Sequence, residues 1–219
     1  RTTAKFNAGM TRDGDTVQIG AGTVTEWLPR MGLLDDFADL GVHTEMTARG
    51  LVKLVREGVI NGRRKTLHPG RVIATAVGGT REDMDFIDGN PLFEIYSVHY
   101  VNNPAVIAQN DNLVAINQAL SVDLTGQIAA EAVGPYMYSG PGGQLMFAMG
   151  AMLSRGGRSI TILPSTAKNG TVSRIVPQLE AGSVITVPRV CAGYVVTEYG
   201  VARLRGRTVR ERAMALVEV

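Results

Sequence analysis

The sequence predicts a layered α/β fold. Short runs rich in β-forming residues alternate with segments whose apolar residues recur at helical spacing, and turns that contain glycine separate them. The chain has 219 residues, 45% of them hydrophobic and 19% charged, which is typical of a globular protein with a substantial core. It contains no linker, internal repeat or low-complexity stretch. We therefore expect a single continuous domain over residues 1–219.

Six runs have the composition of strands, and each is bounded by turn-forming residues. They are residues 16–19, 71–77, 92–97, 158–163, 183–187 and 194–197.

Helices are predicted from capping signals and apolar spacing. Residues 51–57 have apolar side chains at helical spacing and stop at Gly58. Thr80 to Asp83 resembles a capping box for a helix ending at Gly89, and Asn103 with Pro104 forms a cap and a first-turn proline. Two further helices are expected over residues 145–154 and 208–219.

Charge and cysteine content exclude several classes of protein. A net charge of +2 does not indicate nucleic-acid binding, and the basic clusters Arg63-Arg64-Lys65 and Arg203-Leu-Arg-Gly-Arg207 lack interleaved aromatic residues, so they predict solvated faces or phosphate contacts. The single cysteine, Cys191, excludes an internal disulfide and a CxxC metal pair, which favours a cytoplasmic location. We expect neither export nor membrane insertion, because we find no signal peptide and no apolar run of about 18 residues.

The glycine-rich segment Ser139-Gly-Pro-Gly-Gly-Gln144 precedes an apolar helical run. Glycine lets the backbone adopt positive φ and approach a ligand, while a helix start leaves N–H donors unpaired. A phosphate, a carboxylate or a developing oxyanion would fit such a loop. A tight turn between two core elements is the alternative.

The side chains available for chemistry are few. The histidines His43, His68 and His99 are not spaced as ligands on one helix face, so we expect no metal site. There is no GxSxG elbow. Glu45 follows the short apolar run 40–44, which places it at the end of a strand, where a carboxylate can act as a base or nucleophile. The alternative is a surface glutamate that caps the following helix.

Several motifs, in order, resemble the C-terminal half of the acetyl-CoA hydrolase/transferase family, which includes the 4-hydroxybutyrate, butyrate and succinate:acetate CoA-transferases. The motifs are Leu40-Gly-Val-His-Thr-Glu-Met46, Val101-Asn-Asn-Pro-Ala-Val-Ile-Ala108, Val114-Ala-Ile-Asn-Gln-Ala-Leu120, Val122-Asp-Leu-Thr-Gly-Gln127, Ser139-Gly-Pro-Gly-Gly-Gln144, Gly156-Gly-Arg-Ser159, Leu163-Pro-Ser-Thr-Ala-Lys168, Ser173-Arg-Ile-Val-Pro177 and Val195-Val-Thr-Glu-Tyr-Gly200. The resemblance implies an α/β/α domain with a mostly parallel sheet, like one half of a family I CoA-transferase.

The same resemblance implies a covalent mechanism. In the family a glutamate attacks the acyl-CoA thioester, and Glu45 matches it. An acyl-glutamyl anhydride and a glutamyl-CoA thioester would follow. Asn102 and Gly143 match the asparagine side chain and glycine N–H that face the developing oxyanion. Gly142 and Gly143 would bring the backbone to the thioester carbonyl.

Other positions are implied to contact coenzyme A or to support the site. Gly142, Gly143 and Gln144 belong to the glycine-rich motif, and Lys168 with Asn169 matches a region that contacts CoA in relatives, where a lysine could pair with a pyrophosphate oxygen. The alternative is that Lys168 is an exposed lysine without a role in binding. We interpret His43 as core or supporting, on the argument that neighbouring residues of a strand point to opposite faces.

The chain also departs from the family. Where relatives usually have an Asp and often an Arg on either side of the motif's Phe, it has Met146 and Met149, and Cys191-Ala-Gly193 replaces an acidic pattern. We expect these changes to alter the acyl pocket or a partner surface, with the enzyme still active.

Family members are about twice as long. The resemblance therefore implies a fragment, or one subunit of a split enzyme, with acyl-CoA and a small carboxylic acid as substrates. It also implies a homo-oligomer, or a hetero-oligomer with a subunit that supplies the N-terminal half. An acyl-CoA hydrolase that uses the same glutamate and a non-catalytic CoA-binding or partner-binding subunit are the alternatives.

Overall fold

The computed structural model of the chain describes residues 9–22, 24–25 and 27–219. It shows an α/β fold in three layers, in which helices cover both faces of a mostly parallel eight-stranded sheet. The predicted fold class is confirmed.

The strands, numbered in chain order within these ranges, include eight in the central sheet and several short pairs beside it. They are β1 (Thr16–Ile19), β2 (Gly41–Met46), β3 (Val72–Ala76), β4 (Phe93–Ile95), β5 (Leu113–Gln118), β6 (Ser121–Asp123), β7 (Ile128–Ala129), β8 (Ala132–Val133), β9 (Tyr136–Met137), β10 (Arg158–Ile162), β11 (Thr166–Ala167), β12 (Val172–Ser173), β13 (Ile175–Val176), β14 (Tyr194–Val196) and β15 (Val201–Arg203).

The helices of the described ranges are mostly short. They are α1 (Trp27–Arg30), α2 (Leu51–Arg56), α3 (Arg81–Ile87), α4 (Val98–Val101), α5 (Pro104–Ile107), α6 (Gln144–Leu153) and α7 (Val209–Val217). None of them is long and apolar enough to cross a membrane.

The strand order of the central sheet is β15-β14-β10-β5-β1-β2-β3-β4. All neighbours are parallel except β14 and β15. The chain moves from β1 through β2 and β3 to the edge at β4, and then returns to place β5 on the other side of β1. The order therefore reverses between β1 and β5, and in such sheets the crevice at the carboxyl ends of the strands is where ligands bind.

Strand alternation divides the core between the two faces of the sheet. On one face, Val114 and Ile116 of β5 pack with Leu51 and Leu54 of α2. On the other face, Leu113 and Ala115 belong to a cluster formed with residues of α4, α5 and α6: Val101, Ile107, Phe147 and Ala151. This second face carries the helices whose ends build the site described below.

Most predicted strands are present, with β1 at its predicted bounds and β3, β4, β10 and β14 inside the predicted runs. The predicted strand at 183–187 is wrong: this segment is irregular, and Val187 forms a single bridge with Ile128. Val184 and Ile185 are exposed, so the apolar composition of this run does not reflect burial in the core. Central strand β5 was absent from the predicted set.

The capping signals predicted the helices well. Thr80 Oγ1 accepts a hydrogen bond from Asp83 N at 3.2 Å, and Asp83 Oδ2 accepts one from Thr80 N at 2.9 Å, which is the predicted capping box of α3. Asn103 Oδ1 accepts from Ala105 N at 2.9 Å to cap α5.

Lys65 contradicts the prediction that the cluster 63–65 is a solvated face or a phosphate contact. Its side chain lies over Gly41, where a Cβ would collide with it, and the residue is only 4% exposed. Its Nζ donates hydrogen bonds to the carbonyl oxygens of Val42 at 2.9 Å and Arg71 at 3.0 Å. Burial lowers the pKa of Lys65 from 10.5 to about 7, and the carboxylate of Glu94 opposes this shift.

We expect Lys65 to make stability depend on pH. Because its pKa is lower in the folded state, the unfolded state binds more protons between pH 7 and pH 10.5, so its contribution to stability rises with pH across that window. Replacing Lys65→Met removes this contribution. Thermal unfolding of both proteins across the window should show a steeper rise of the midpoint with pH for the wild type.

Lys53→Met is the matched control, because Lys53 is an exposed lysine whose ion pair with Glu57 lies at the surface. Its pH dependence should follow the wild type. Equal slopes for the wild type and Lys65→Met would contradict the prediction.

Candidate active site

The three residues expected at the reaction centre lie together on one face of the sheet. Glu45 is the penultimate residue of β2, at the carboxyl ends of the parallel strands. Asn102 directly follows α4, and Gly143 is the N-cap residue of α6. Since both helices cover the face toward which Glu45 points, their ends meet its carboxylate.

Contacts among these three residues are direct. Asn102 Nδ2 donates a hydrogen bond to Glu45 Oε2 at 2.9 Å. A Cβ at Gly143 would collide with Glu45 Oε2 and lie 2.6 Å from Asn102 Nδ2. The Gly143 N–H donates no backbone hydrogen bond among the described residues, so it remains available at the start of α6.

Gly142 is constrained by its backbone. Its φ is +52°, in the left-handed region, while a Cβ there would lie at an ordinary 3.7 Å from Glu45 Oε2. The two glycines are therefore constrained differently: a Cβ at Gly143 would collide with the Glu45 carboxylate, whereas at Gly142 the positive φ is the constraint.

Glu45 does not cap the helix that follows, which was the alternative interpretation. Helix α2 starts at Leu51 after Gly50, and no side chain caps it. Glu45 is half-buried and opens on a cavity of about 250 Å³. The cavity lies at the ends of β1, β2 and β5, the point of strand-order reversal, and the glycine-rich loop forms its opposite wall.

Gln144 lines the same cavity, and its Nε2 donates to the carbonyl oxygen of Gln118 at 3.2 Å. The loop is thereby fixed to the end of β5.

Sequence reasoning missed Gln18 and gave no role to Asn117. Their side-chain amides pair reciprocally: Gln18 Nε2 donates to Asn117 Oδ1 at 3.1 Å, and Asn117 Nδ2 donates to Gln18 Oε1 at 2.9 Å. Both line the cavity, and Gly20 lies so close that a Cβ would collide with Asn117. The long polar side chain of Gln18 between Val17 and Ile19, in a run predicted to be a strand, was the signal that could have revealed the pair.

His43 is fully buried, as expected, but its side chain lies on the same face of β2 as that of Glu45 and not on the opposite one. Residues 43 and 45 are two apart, so their side chains share a face. His43 Nε2 lies 2.8 Å from the carbonyl oxygen of Val101, which can only accept, so Nε2 carries the proton. Burial lowers the pKa of His43 from 6.5 to about 4. The neutral ring therefore ties the end of α4, next to Asn102, to β2.

Lys168 and Asn169 lie outside the cavity lining. They occupy the turn after β11, both with positive φ, and both are exposed. Glu198 contacts the residue before β11 and not the turn: it accepts hydrogen bonds from Ser165 N at 2.9 Å and from Ser165 Oγ at 2.6 Å. A contact of Lys168 and Asn169 with CoA stays a prediction.

The departures from the family pattern do not line the cavity beside Glu45. Both methionines belong to α6. Met149 is partly buried against a hydrophobic cluster, and Met146 is 37% exposed. Residues 191–193 lie before β14, at the opposite edge of the sheet. The expectation that they reshape the acyl pocket therefore has no support in the cavity's lining.

In the described part of the chain, no group of three or more His, Cys, Asp or Glu side chains could hold a metal ion. What the site offers is a carboxylate, an amide donor bound to it and a backbone N–H beside it. This set can place a nucleophile and two donors around one carbonyl group.

Comparison with known proteins identifies relatives of this arrangement. The family model described as the Acetyl-CoA hydrolase/transferase C-terminal domain matches residues 79–219. The 4-hydroxybutyrate coenzyme A transferase of Clostridium kluyveri is 48% identical over 212 residues, covering 97% of this chain and 49% of that protein. The succinyl-CoA:cyclohexane-1-carboxylate CoA transferase of Geobacter metallireducens is 43% identical, covering 96% of this chain and 48% of the relative.

Solved structures agree. RipA from Yersinia pestis matches with a TM-score of 0.92 at 42% identity, over 99% of this chain and 48% of that one. The 4-hydroxybutyrate CoA-transferase from Porphyromonas gingivalis matches with a TM-score of 0.83 at 44% identity, over 99% and 50%. The chain thus spans about half the length of the relatives it matches, and it belongs to the acetyl-CoA hydrolase/transferase family.

Proposed function

We propose that the protein is a CoA-transferase in which Glu45 is the nucleophile. The observation that carries this proposal is the contact of Glu45 with Asn102 beside the Cβ-free backbone of Gly143. The relatives named above, which are CoA transferases at 43% and 48% identity, support it.

The first half of the proposed reaction transfers the CoA thiol onto the enzyme. A Glu45 oxygen attacks the acyl carbonyl of the acyl-CoA, the C–S bond breaks, and an acyl-glutamyl anhydride forms with release of CoA thiolate. The thiolate then attacks the glutamyl carbonyl, the C–O bond breaks, and the first acid leaves as its carboxylate. The glutamyl-CoA thioester keeps the free energy of the original thioester.

The second half reverses these steps with another acid. Its carboxylate attacks the glutamyl-CoA carbonyl and expels the thiolate, which attacks the acyl carbonyl of the new anhydride. A new acyl-CoA leaves and the Glu45 carboxylate is restored. Each addition puts negative charge on a carbonyl oxygen, which the Asn102 amide and the Gly143 N–H would stabilise.

Substrates and assembly belong to the same proposal. Acyl-CoA and a small carboxylic acid are the substrates, with Lys168 and Asn169 as contacts for CoA and residues 1–219 as one domain. An N-terminal half, in the same polypeptide or a partner subunit, completes the enzyme, which forms a homo- or hetero-oligomer. The cytoplasmic location stays a prediction.

The nucleophile is tested by intact-protein mass spectrometry of the full-length protein, with any partner subunit, after incubation with acetyl-CoA. The wild type should gain a covalent CoA adduct that borohydride removes by reduction, and Glu45→Gln should gain none. Glu57→Gln, which changes an exposed glutamate, is the control and should react like the wild type.

An adduct on Glu45→Gln would contradict the assignment of the nucleophile. Wild-type protein that binds CoA without forming an adduct would indicate the non-catalytic subunit instead. Release of free CoA without an acceptor acid would indicate a hydrolase.

We expect Asn102→Ala to lower kcat by about 10²-fold, because it removes one donor to the oxyanion. Steady-state kinetics should show little change in KM for acyl-CoA. Asn103→Ala is the control, since the neighbouring asparagine only caps α5. It should leave kcat unchanged and cost about 1 kcal/mol of stability. Equal kcat values for the two variants would refute the role of Asn102.

Gly143→Ala should reduce the rate by at least about 10²-fold, because the added Cβ enters the space between the Glu45 carboxylate and the Asn102 amide. Gly140→Ala is the matched control in the same loop, since no atom lies within 4 Å of its Cβ position. Comparing kcat/KM of the two variants, with circular dichroism to verify folding, tests the prediction. A Gly143→Ala protein with the kcat/KM of Gly140→Ala would contradict the proposed arrangement of Glu45, Asn102 and Gly143.

A further inference from the structure

A second cavity, of about 390 Å³, lies at the edge of the sheet opposite Glu45. It is formed where β10 and β14 begin, beside the turn that follows α6 and the segment that follows β15. Among the residues that the structure describes, no carboxylate lines it, and four arginines do: Arg12, Arg158, Arg203 and Arg205. We name it the arginine cavity.

The fold explains why these arginines meet. Arg158 opens β10, at the amino end of the parallel strands. Because β15 runs antiparallel to β14, its last residue, Arg203, lies at that same edge, and Arg205 follows two residues later. Arg12 precedes β1 by four residues and completes the wall.

The positive charge of the arginine cavity is only partly compensated. Asp15, behind the wall, pairs with Arg158 at 2.7 Å, and its Oδ2 accepts from the backbone N–H of Arg12. Arg205 Nη2 donates to the carbonyl oxygen of Met152 at 2.9 Å. Among the described residues, the guanidinium of Arg203 makes no hydrogen bond or ion pair. Four guanidinium groups thus face one carboxylate.

The glycines of the cavity do not make room for a ligand. A Cβ at Gly157 would collide with the carbonyl oxygen of Ala151, and one at Gly193 would lie 2.5 Å from that of Ser159. These glycines allow close packing of the chain itself. Side chains therefore supply the groups that could hold a ligand, and the four arginines are the charged ones among them.

We propose that the arginine cavity binds a polyphosphate anion, that is, two or more linked phosphoryl groups, free or as part of a nucleotide. Guanidinium groups match phosphate oxygens with paired hydrogen bonds, and several of them around one cavity favour a ligand with several charges. The three guanidinium charges left after the Asp15 pair match an anion of about that charge.

The arginine cavity is distinct from the site of thioester chemistry. Through β5 and β1, Arg158 is in register with Val42, three residues before Glu45, so the two sites are separated by about 10 Å along the strands and, three strands apart, by about 14 Å across the sheet. Binding there is separate from the reaction proposed for Glu45, and it survives if that proposal fails.

Isothermal titration calorimetry of the full-length protein with inorganic pyrophosphate tests the proposal, with ADP in a second arm and sulfate and methyl phosphate as comparators. We expect one pyrophosphate per chain, bound more tightly than either comparator. Tighter binding of ADP would support the site and assign it to a nucleotide, whereas equal binding would support it and assign it to free pyrophosphate.

Arg203→Gln and Arg12→Gln change opposite walls of the cavity, and each should weaken binding by at least about tenfold. Arg210→Gln is the control, since it removes the same charge from an exposed arginine of α7 outside the cavity. It should bind like the wild type. No saturable binding by the wild type, or equal weakening by all three variants, would overturn the proposal.

Discussion

The hydrogen bond from Asn102 Nδ2 to Glu45 Oε2 is the constraint on which the rest of the site depends. It exists only because residue 143 has no Cβ, since the first side-chain atom of any other residue would occupy the space between the carboxylate and the amide. Three segments far apart in the sequence must therefore be placed close together. The core behind them supplies that placement.

The position of Glu45 follows from the alternation of side chains between the two faces of a strand. His43 and Glu45 share a face of β2, and the His43 ring holds the carbonyl of Val101 at the end of α4. Asn102 is the next residue, so the buried histidine and the carboxylate fix the two sides of one short turn. Phe147, one turn into α6, belongs to the same core cluster as Val101 and anchors the helix that Gly143 begins. The buried residues that hold the site together are thus direct neighbours, along the chain or along a helix, of the residues proposed to react.

Short sequence signals predicted the features of the fold that depend on neighbouring residues alone. The capping residues Thr80 and Asn103 fixed helix starts, and a glycine-rich segment before an apolar run identified the loop at α6. Pairings between distant segments were not accessible in this way: the reciprocal amides of Gln18 and Asn117 and the inward course of Lys65 depend on which strands become neighbours. The 183–187 run failed for the same reason, because β-forming composition does not supply a partner strand. The site residues themselves came from a resemblance and not from periodicity.

Solvent access separates the two reactions that this site could perform. In the proposed mechanism, transfer and hydrolysis would share the nucleophile, the anhydride and the two donors, and they would differ only in whether water reaches the glutamyl carbonyl before an acid does. In the part of the chain that the structure describes, Glu45 is half-buried at the mouth of a cavity, with Met46 beside it 45% exposed. These walls orient the carboxylate but leave one side open. Under the proposed function, further protein would have to cover that side, and its fit over the cavity, more than Glu45, Asn102 or Gly143, would set the balance between transfer and hydrolysis.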